Sequence, residues 1–144
     1  MKKEIPITQD HWDWAGDTLS LHAQAKMAPA LIKLIMPGVR LFEFTDGETI
    51  LTENDIGQEM YLIYQGEVSV TRGGKELAVL KKGDYFGEIS LVAKVPRTAT
   101  VKALKNCQAF ELAWRAITAI DELFPELMLN LQEVARKRTS EHSQ

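Results

Sequence analysis

Residues 60–71 read Met60-Tyr61-Leu62-Ile63-Tyr64-Gln65-Gly66-Glu67-Val68-Ser69-Val70-Thr71, and this run decides the fold class. From Glu67 onward polar and apolar side chains alternate, the period of two that marks a strand with one buried face. Gln65-Gly66 reads as a turn between two strand candidates, 60–64 and 67–71. The same pattern extends both ways, with further candidates at 39–44, 49–52, 76–80, 98–103 and 107–113. Asp46-Gly47, Asp55-Ile56-Gly57, Gly73-Gly74 and Lys82-Gly83-Asp84 punctuate them. Many short strands so punctuated predict a mainly β domain, an antiparallel jelly-roll β-barrel (double-stranded β-helix).

Helical periodicity flanks the β region on both sides. Leu19, Ala23, Met27, Leu31, Leu34 and Ile35 recur at helical spacing, with Pro29 opening a second helix and Pro37-Gly38 ending it. After Trp114 a stripe of Ile117, Ile120 and Phe124 precedes Pro125. A last helix then carries Leu127, Leu131 and Val134 on one face and Arg136, Lys137 and Arg138 near its end, with a frayed tail after Thr139. This gives an N-terminal helical segment (1–38), a β-barrel (39–113) and C-terminal hinge and lid helices (114–144) within one domain.

Composition narrows the function classes. The chain has 144 residues, enough for one core, and a net charge of −3 that gives no electrostatic footprint for nucleic acid or an acidic membrane surface. The single cysteine, Cys107, allows no intrachain disulfide and reads as a small buried strand residue. No apolar run approaches a membrane span and the N-terminus lacks a secretion signal, which places the chain in the cytoplasm. The three histidines, His11, His22 and His142, lie outside the β region without partners at ligand spacing, so neither a metal centre nor catalysis is expected.

The chemistry concentrates at 86–101, in Phe86-Gly87-Glu88-Ile89-Ser90-Leu91 and Pro96-Arg97-Thr98-Ala99-Thr100-Val101. A glycine opening a short helix (88–93) exposes backbone N–H groups that suit an anion. Arg97, nine residues after Glu88, folds back to offer its planar fork to the same anion. A carboxylate at 88 repels a bare phosphate but accepts a hydroxyl beside one. A cyclic ribose phosphate carries that pair, one anionic phosphate and one free 2′-hydroxyl.

This segment resembles the phosphate-binding cassette of the cyclic-nucleotide-binding domain family. The likeness continues in Asp46-Gly47-Glu48-Thr49-Ile50, in Gly57-Gln58-Glu59-Met60-Tyr61-Leu62-Ile63 and in Gly66-Glu67-Val68-Ser69-Val70, covering roughly 39–136. It implies that the N–H groups of Gly87, Ile89 and Ser90 cradle the phosphate, that Glu88 takes the ribose 2′-OH, and that Arg97 pairs with a phosphate oxygen. Thr98 and Ala99 add contacts.

In the family a hydroxyl at the position of Thr98 goes with cGMP tolerance. One such hydrogen bond is worth about 0.5–1.5 kcal/mol, roughly tenfold at most, so cAMP with measurable cGMP binding is the expected ligand preference. Two readings stand for Leu127, Leu131 and Val134: a lid over the purine, with Arg136 or Arg138 at its polar edge, or a stripe packed on the barrel or on a partner helix. The function so read is a sensor whose C-terminal helix moves on binding and controls an attached or partner effector. The alternative is an interaction module on a silent barrel, dimerising through terminal helices with Trp12 and Trp14.

Overall fold

The computed structural model describes residues 2–19, 29–123 and 125–142. The order is β1 (Lys3–Ile5), α1 (Gln9–Thr18), α2 (Pro29–Ile35), a 3-10 turn (Met36–Gly38), β2 (Val39–Phe44), β3 (Thr49–Leu51), β4 (Glu59–Arg72), β5 (Lys75–Lys81), β6 (Tyr85–Phe86), α3 (Glu88–Ala93), β7 (Thr100–Ala113), α4 (Trp114–Leu123) and α5 (Glu126–His142).

Two 14-residue strands, β4 and β7, form the spine and pair antiparallel from Glu59↔Ala113 to Thr71↔Thr100. Each replaces two shorter strands expected from the sequence. Gly66 does not reverse the chain; the ladder shifts register around it, and a bulge absorbs the turn signal while the strand bends and continues. The site needs glycine, because a Cβ at Gly66 would sit 2.6 Å from the Asn106 carbonyl oxygen and φ is +81°. Asn106 opposite is also left-handed, with φ 46°.

The remaining strands extend this spine in the order β1-β2-β7-β4-β5, with β3 on β7 and β6 on β4. The expected architecture, mainly antiparallel β with flanking helices, is present and jelly-roll-like. The barrel needs a correction. Among the described residues the hydrogen-bonded path does not close, and β1 and β5 remain as edges. The bent spine folds the sheet over its own core instead of joining its ends.

Folding the sheet creates two cores. Tyr61, Ile63, Val68, Val70, Phe86, Val101, Ala103 and Ala109 pack inside the folded sheet. Met60, Leu62, Phe110 and Leu112 face outward to meet Trp12, Ile35, Ile117, Ile120, Leu127 and Leu131 from the helices. Burial on both faces is why Met60-Tyr61-Leu62-Ile63 is continuously apolar rather than alternating.

The N-terminal segment, expected to be helix-like with an irregular start, opens with Lys3–Ile5 as an edge strand on β2. Thr8 then caps α1, accepting from the His11 N–H at 3.3 Å while His11 Nδ1 accepts from the Thr8 N–H at 2.9 Å. Trp12 is buried and Trp14 packs partly buried against Phe110, with ring centroids 6.1 Å apart. These indoles therefore pin the segment to its own domain. Of the stripe expected from Leu19 to Ile35, Leu19 and Ile35 are buried, Leu34 is exposed, and Ala23 and Met27 lie outside the described residues. Phe124 also lies outside them, and α5 extends to His142.

Candidate functional site

The site begins where β6 ends. Phe86 pairs with Tyr61 in the sheet and stacks on its ring at 5.2 Å, which fixes the position of the next residue. Gly87 turns the chain with φ +90° and opens α3, leaving the first N–H groups of that short helix without intrahelical acceptors. Lys94, also left-handed, ends α3. The chain then returns along the β3–β4 loop, where the Arg97 N–H donates to Asp55 O at 2.7 Å and the Asn54 N–H donates to Arg97 O at 2.8 Å.

This backbone clamp delivers the Arg97 side chain to α3 almost fully buried, at 4% exposure. Nη1 donates to Ser90 Oγ at 2.7 Å and to Gly87 O at 3.0 Å. Nη2 donates to Glu59 O at 2.8 Å and reaches the Glu59 carboxylate at 3.3 Å. The buried cation is thus held by two backbone carbonyls, a hydroxyl and a half-buried carboxylate, the arrangement a desolvated charge requires.

Glu88 is buried more deeply, at 1% exposure. Burial pushes its carboxyl above the usual glutamate range, while Arg138 and, less strongly, Arg97 pull it back. Arg138 donates to Glu88 Oε1 at 2.7 Å and to Tyr85 O at 2.6 Å, and its guanidinium lies 5.6 Å from the centre of the Tyr85 ring. Burial, followed by the Glu88 charge, pushes the Tyr85 phenol up to about 12.

A cavity of about 300 Å³ opens against these groups, at the lower end of the sizes that hold small ligands. Gly87, Glu88, Ile89, Ser90, Arg97, Thr98 and Ala99, the whole set singled out in the sequence, line it together. Arg138 enters from α5, and Leu51, Val70, Leu77, Ala78 and Leu80 form an apolar wall. The lining therefore combines a charged part with an apolar one.

The C-terminal residues divide differently from the lid expectation. Leu127 and Leu131 lie in the helix-side core, Val134 lines a separate groove with Tyr85 and Leu19, and the exposed Arg136 pairs with Glu133 at 2.6 Å. Among these five, only Arg138 lines the cavity. The stripe packs on the domain: α5 lies against α3 and α4, and Leu127 and Leu131 share a core with Leu91, Ile117 and Ile120. Glu59, 38 positions from Arg97, was not assigned to the site from the sequence. Its signals were a place in the Gly57–Ile63 stretch of family likeness and a carboxylate directly preceding an apolar run.

Among the described residues no cluster of three or more His, Cys, Asp or Glu could hold a metal ion. Cys107 is fully buried on β7, and burial pushes its thiol up to about 11. No described helix is long and apolar enough to cross a membrane.

Residues 41–122 match the family model described as the cyclic nucleotide-binding domain, and the chain belongs to that family. It is 32% identical over 110 residues to potassium/sodium hyperpolarization-activated cyclic nucleotide-gated channel 3 of Homo sapiens, covering 76% of this chain and 14% of the channel. Over 103 residues it is 36% identical to a cAMP-dependent protein kinase regulatory subunit of Yarrowia lipolytica, covering 70% of this chain and 23% of that protein. The crystal structure of Thermus thermophilus catabolite activator protein superposes with a TM-score of 0.69 at 27% identity, covering 88% of this chain and 60% of that one. The chain thus spans less than a quarter of the length of these two curated relatives.

Proposed function

We propose that this chain is a cyclic-nucleotide sensor that binds cAMP, and cGMP more weakly, and passes the binding event to α5. The observation that carries this reading is the pairing of Glu88 with Arg138, a residue of α5 that also lines the cavity. In this reading the phosphate lies against the N–H groups of Gly87, Ile89 and Ser90 beside Arg97. The ribose 2′-OH donates to Glu88, and the base rests on Val70, Leu77 and Leu80.

A carboxylate offers about four lone-pair sites, so Glu88 serves the ligand hydroxyl and Arg138 together. Arg138 favours the ionised form of a carboxyl that burial disfavours, and the ionised form is the better hydroxyl acceptor. Ligand and α5 therefore reinforce each other through one shared group. By linkage the ligand tightens the hold on α5 by the same factor that α5 tightens the ligand. An effector attached to α5 or docked on it feels that shift.

The base wall carries little to distinguish purines. Thr98 is the hydroxyl within the cassette that reads a guanine amino group, and its effect is limited to roughly tenfold. Isothermal titration of the purified chain with cAMP and cGMP tests the reading. One-to-one binding of cAMP, with cGMP within about tenfold, supports it. No heat and no thermal shift with either nucleotide sinks it and leaves a silent interaction module on the same fold; a ligand at 100 times its Kd stabilises by about 2.7 kcal/mol, well within detection.

A further inference from the structure

Arg97 occupies a slot with a glycine on each side. A Cβ built on Gly87 would lie 3.1 Å from Arg97 Nη1, and one built on Gly57 would lie 2.5 Å from Cζ and 2.6 Å from Nε. The second contact is closer than real side chains come, and it takes in Nη2, closest of the three, as well as Cζ and Nε, so it falls across the guanidinium from tip to stem. Gly57 has no backbone need for glycine, because its φ lies outside the left-handed region. What requires glycine at 57 is the face of Arg97.

We infer that Gly57, outside the cassette, is a positioning residue for the anion site: its missing side chain sets the depth at which Arg97 lies in the cavity wall. This rests on the reading that Arg97 takes the ligand phosphate. Neither partner is placed to retreat. The loop before Gly57 is tied to Arg97 by the two backbone hydrogen bonds through Asn54 and Asp55, so arginine and loop form one unit. On the other side the guanidinium is held by Gly87 O, Ser90 Oγ and Glu59. A methyl group at 57 drives the guanidinium roughly 1 Å off this seat to restore ordinary contact distances. Moving a fork by that distance breaks the alignment on which charge-assisted hydrogen bonds depend.

The test is a double-mutant cycle of Gly57→Ala and Arg97→Ala, read first by ligand-free thermal unfolding and then by cAMP titration. Gly57→Ala is expected to lower Tm by several degrees in the wild-type background and to leave it unchanged when Arg97→Ala has removed the guanidinium. Its cAMP affinity is expected to fall tenfold or more alone, and less than twofold when added to Arg97→Ala. If Gly57→Ala fails to fold and Arg97→Ala restores folding, the same coupling is seen in its extreme form.

Equal losses in both backgrounds would overturn the inference, since they would make Gly57 a loop residue with no bearing on Arg97. Unaltered cAMP affinity in Gly57→Ala, with the wild type binding, would also overturn it, as would failure of both single and double variants to fold. A wild type that binds no cAMP refutes the sensor reading instead, while the ligand-free thermal cycle still decides whether Gly57 seats Arg97.

Discussion

Arg97 and Arg138 reach the same cavity from regions built in different ways. Arg97 is seated in the cassette, clamped to the β3–β4 loop by its own backbone and almost fully buried among carbonyls. Arg138 comes from the far end of α5, keeps its side chain 21% exposed, and holds the site through Glu88 and the Tyr85 carbonyl. The first arginine belongs to the wall. The second is attached to α5, which packs on α3 and α4 and buries Leu127 and Leu131 in the helix-side core. In the proposed function preorganisation and transmission would thus be separated: Arg97 would seat the anion, and the Arg138 contact would report on it.

The largest break in this comparison is Arg97→Ala. Loss of a buried charge partner costs about 3–5 kcal/mol, so cAMP affinity should fall by two to three orders of magnitude in a calorimetric titration. Glu88→Ala removes a charge-assisted hydrogen bond worth about 1.5–3 kcal/mol, roughly ten- to a hundredfold, and also frees α5 from its anchor. Its distinguishing mark is therefore faster amide exchange in the last turns of α5, which Arg97→Ala should not produce to the same degree.

Arg138→Ala sharpens the contrast further. Typical coupling energies of about 1–3 kcal/mol predict a loss near tenfold in cAMP affinity. Hydrogen exchange should show that cAMP protects α5 in the wild type and ceases to do so in this variant. Protection of α5 that survives Arg138→Ala would place the coupling elsewhere. The smallest effect is expected for Thr98→Ala, with cAMP affinity altered less than twofold and cGMP affinity reduced by at most about tenfold. An equal loss for both nucleotides would make Thr98 a phosphate contact.

What was legible follows from how far each interaction reaches along the chain. Gly87, Glu88, Ser90 and Arg97 fall within eleven residues, and their order already encodes strand end, turn, helical turn and return. The Gly73-Gly74 turn was equally plain, with both φ values positive and Arg72 paired to Lys75 across it. The Gln65-Gly66 signal misled, because a left-handed glycine serves a bulge as well as a turn and only the partner strand decides between them. The C-terminal stripe showed that α5 has an apolar face, but not what covers it.

Periodicity and turn chemistry are local properties of backbone and side chain, so the β-rich class, the flanking helices and the membership of the cassette could be read from the residues alone. It took the folded chain to leave the sheet open among the described residues, to bring Leu127 and Leu131 into the helix-side core, and to bring Glu59 and Arg138 to Arg97 and Glu88 from 38 and 50 residues away. Those outcomes depend on which surfaces exclude water together and which carboxylate lies within reach of which cation, and such pairings arise when the whole chain packs.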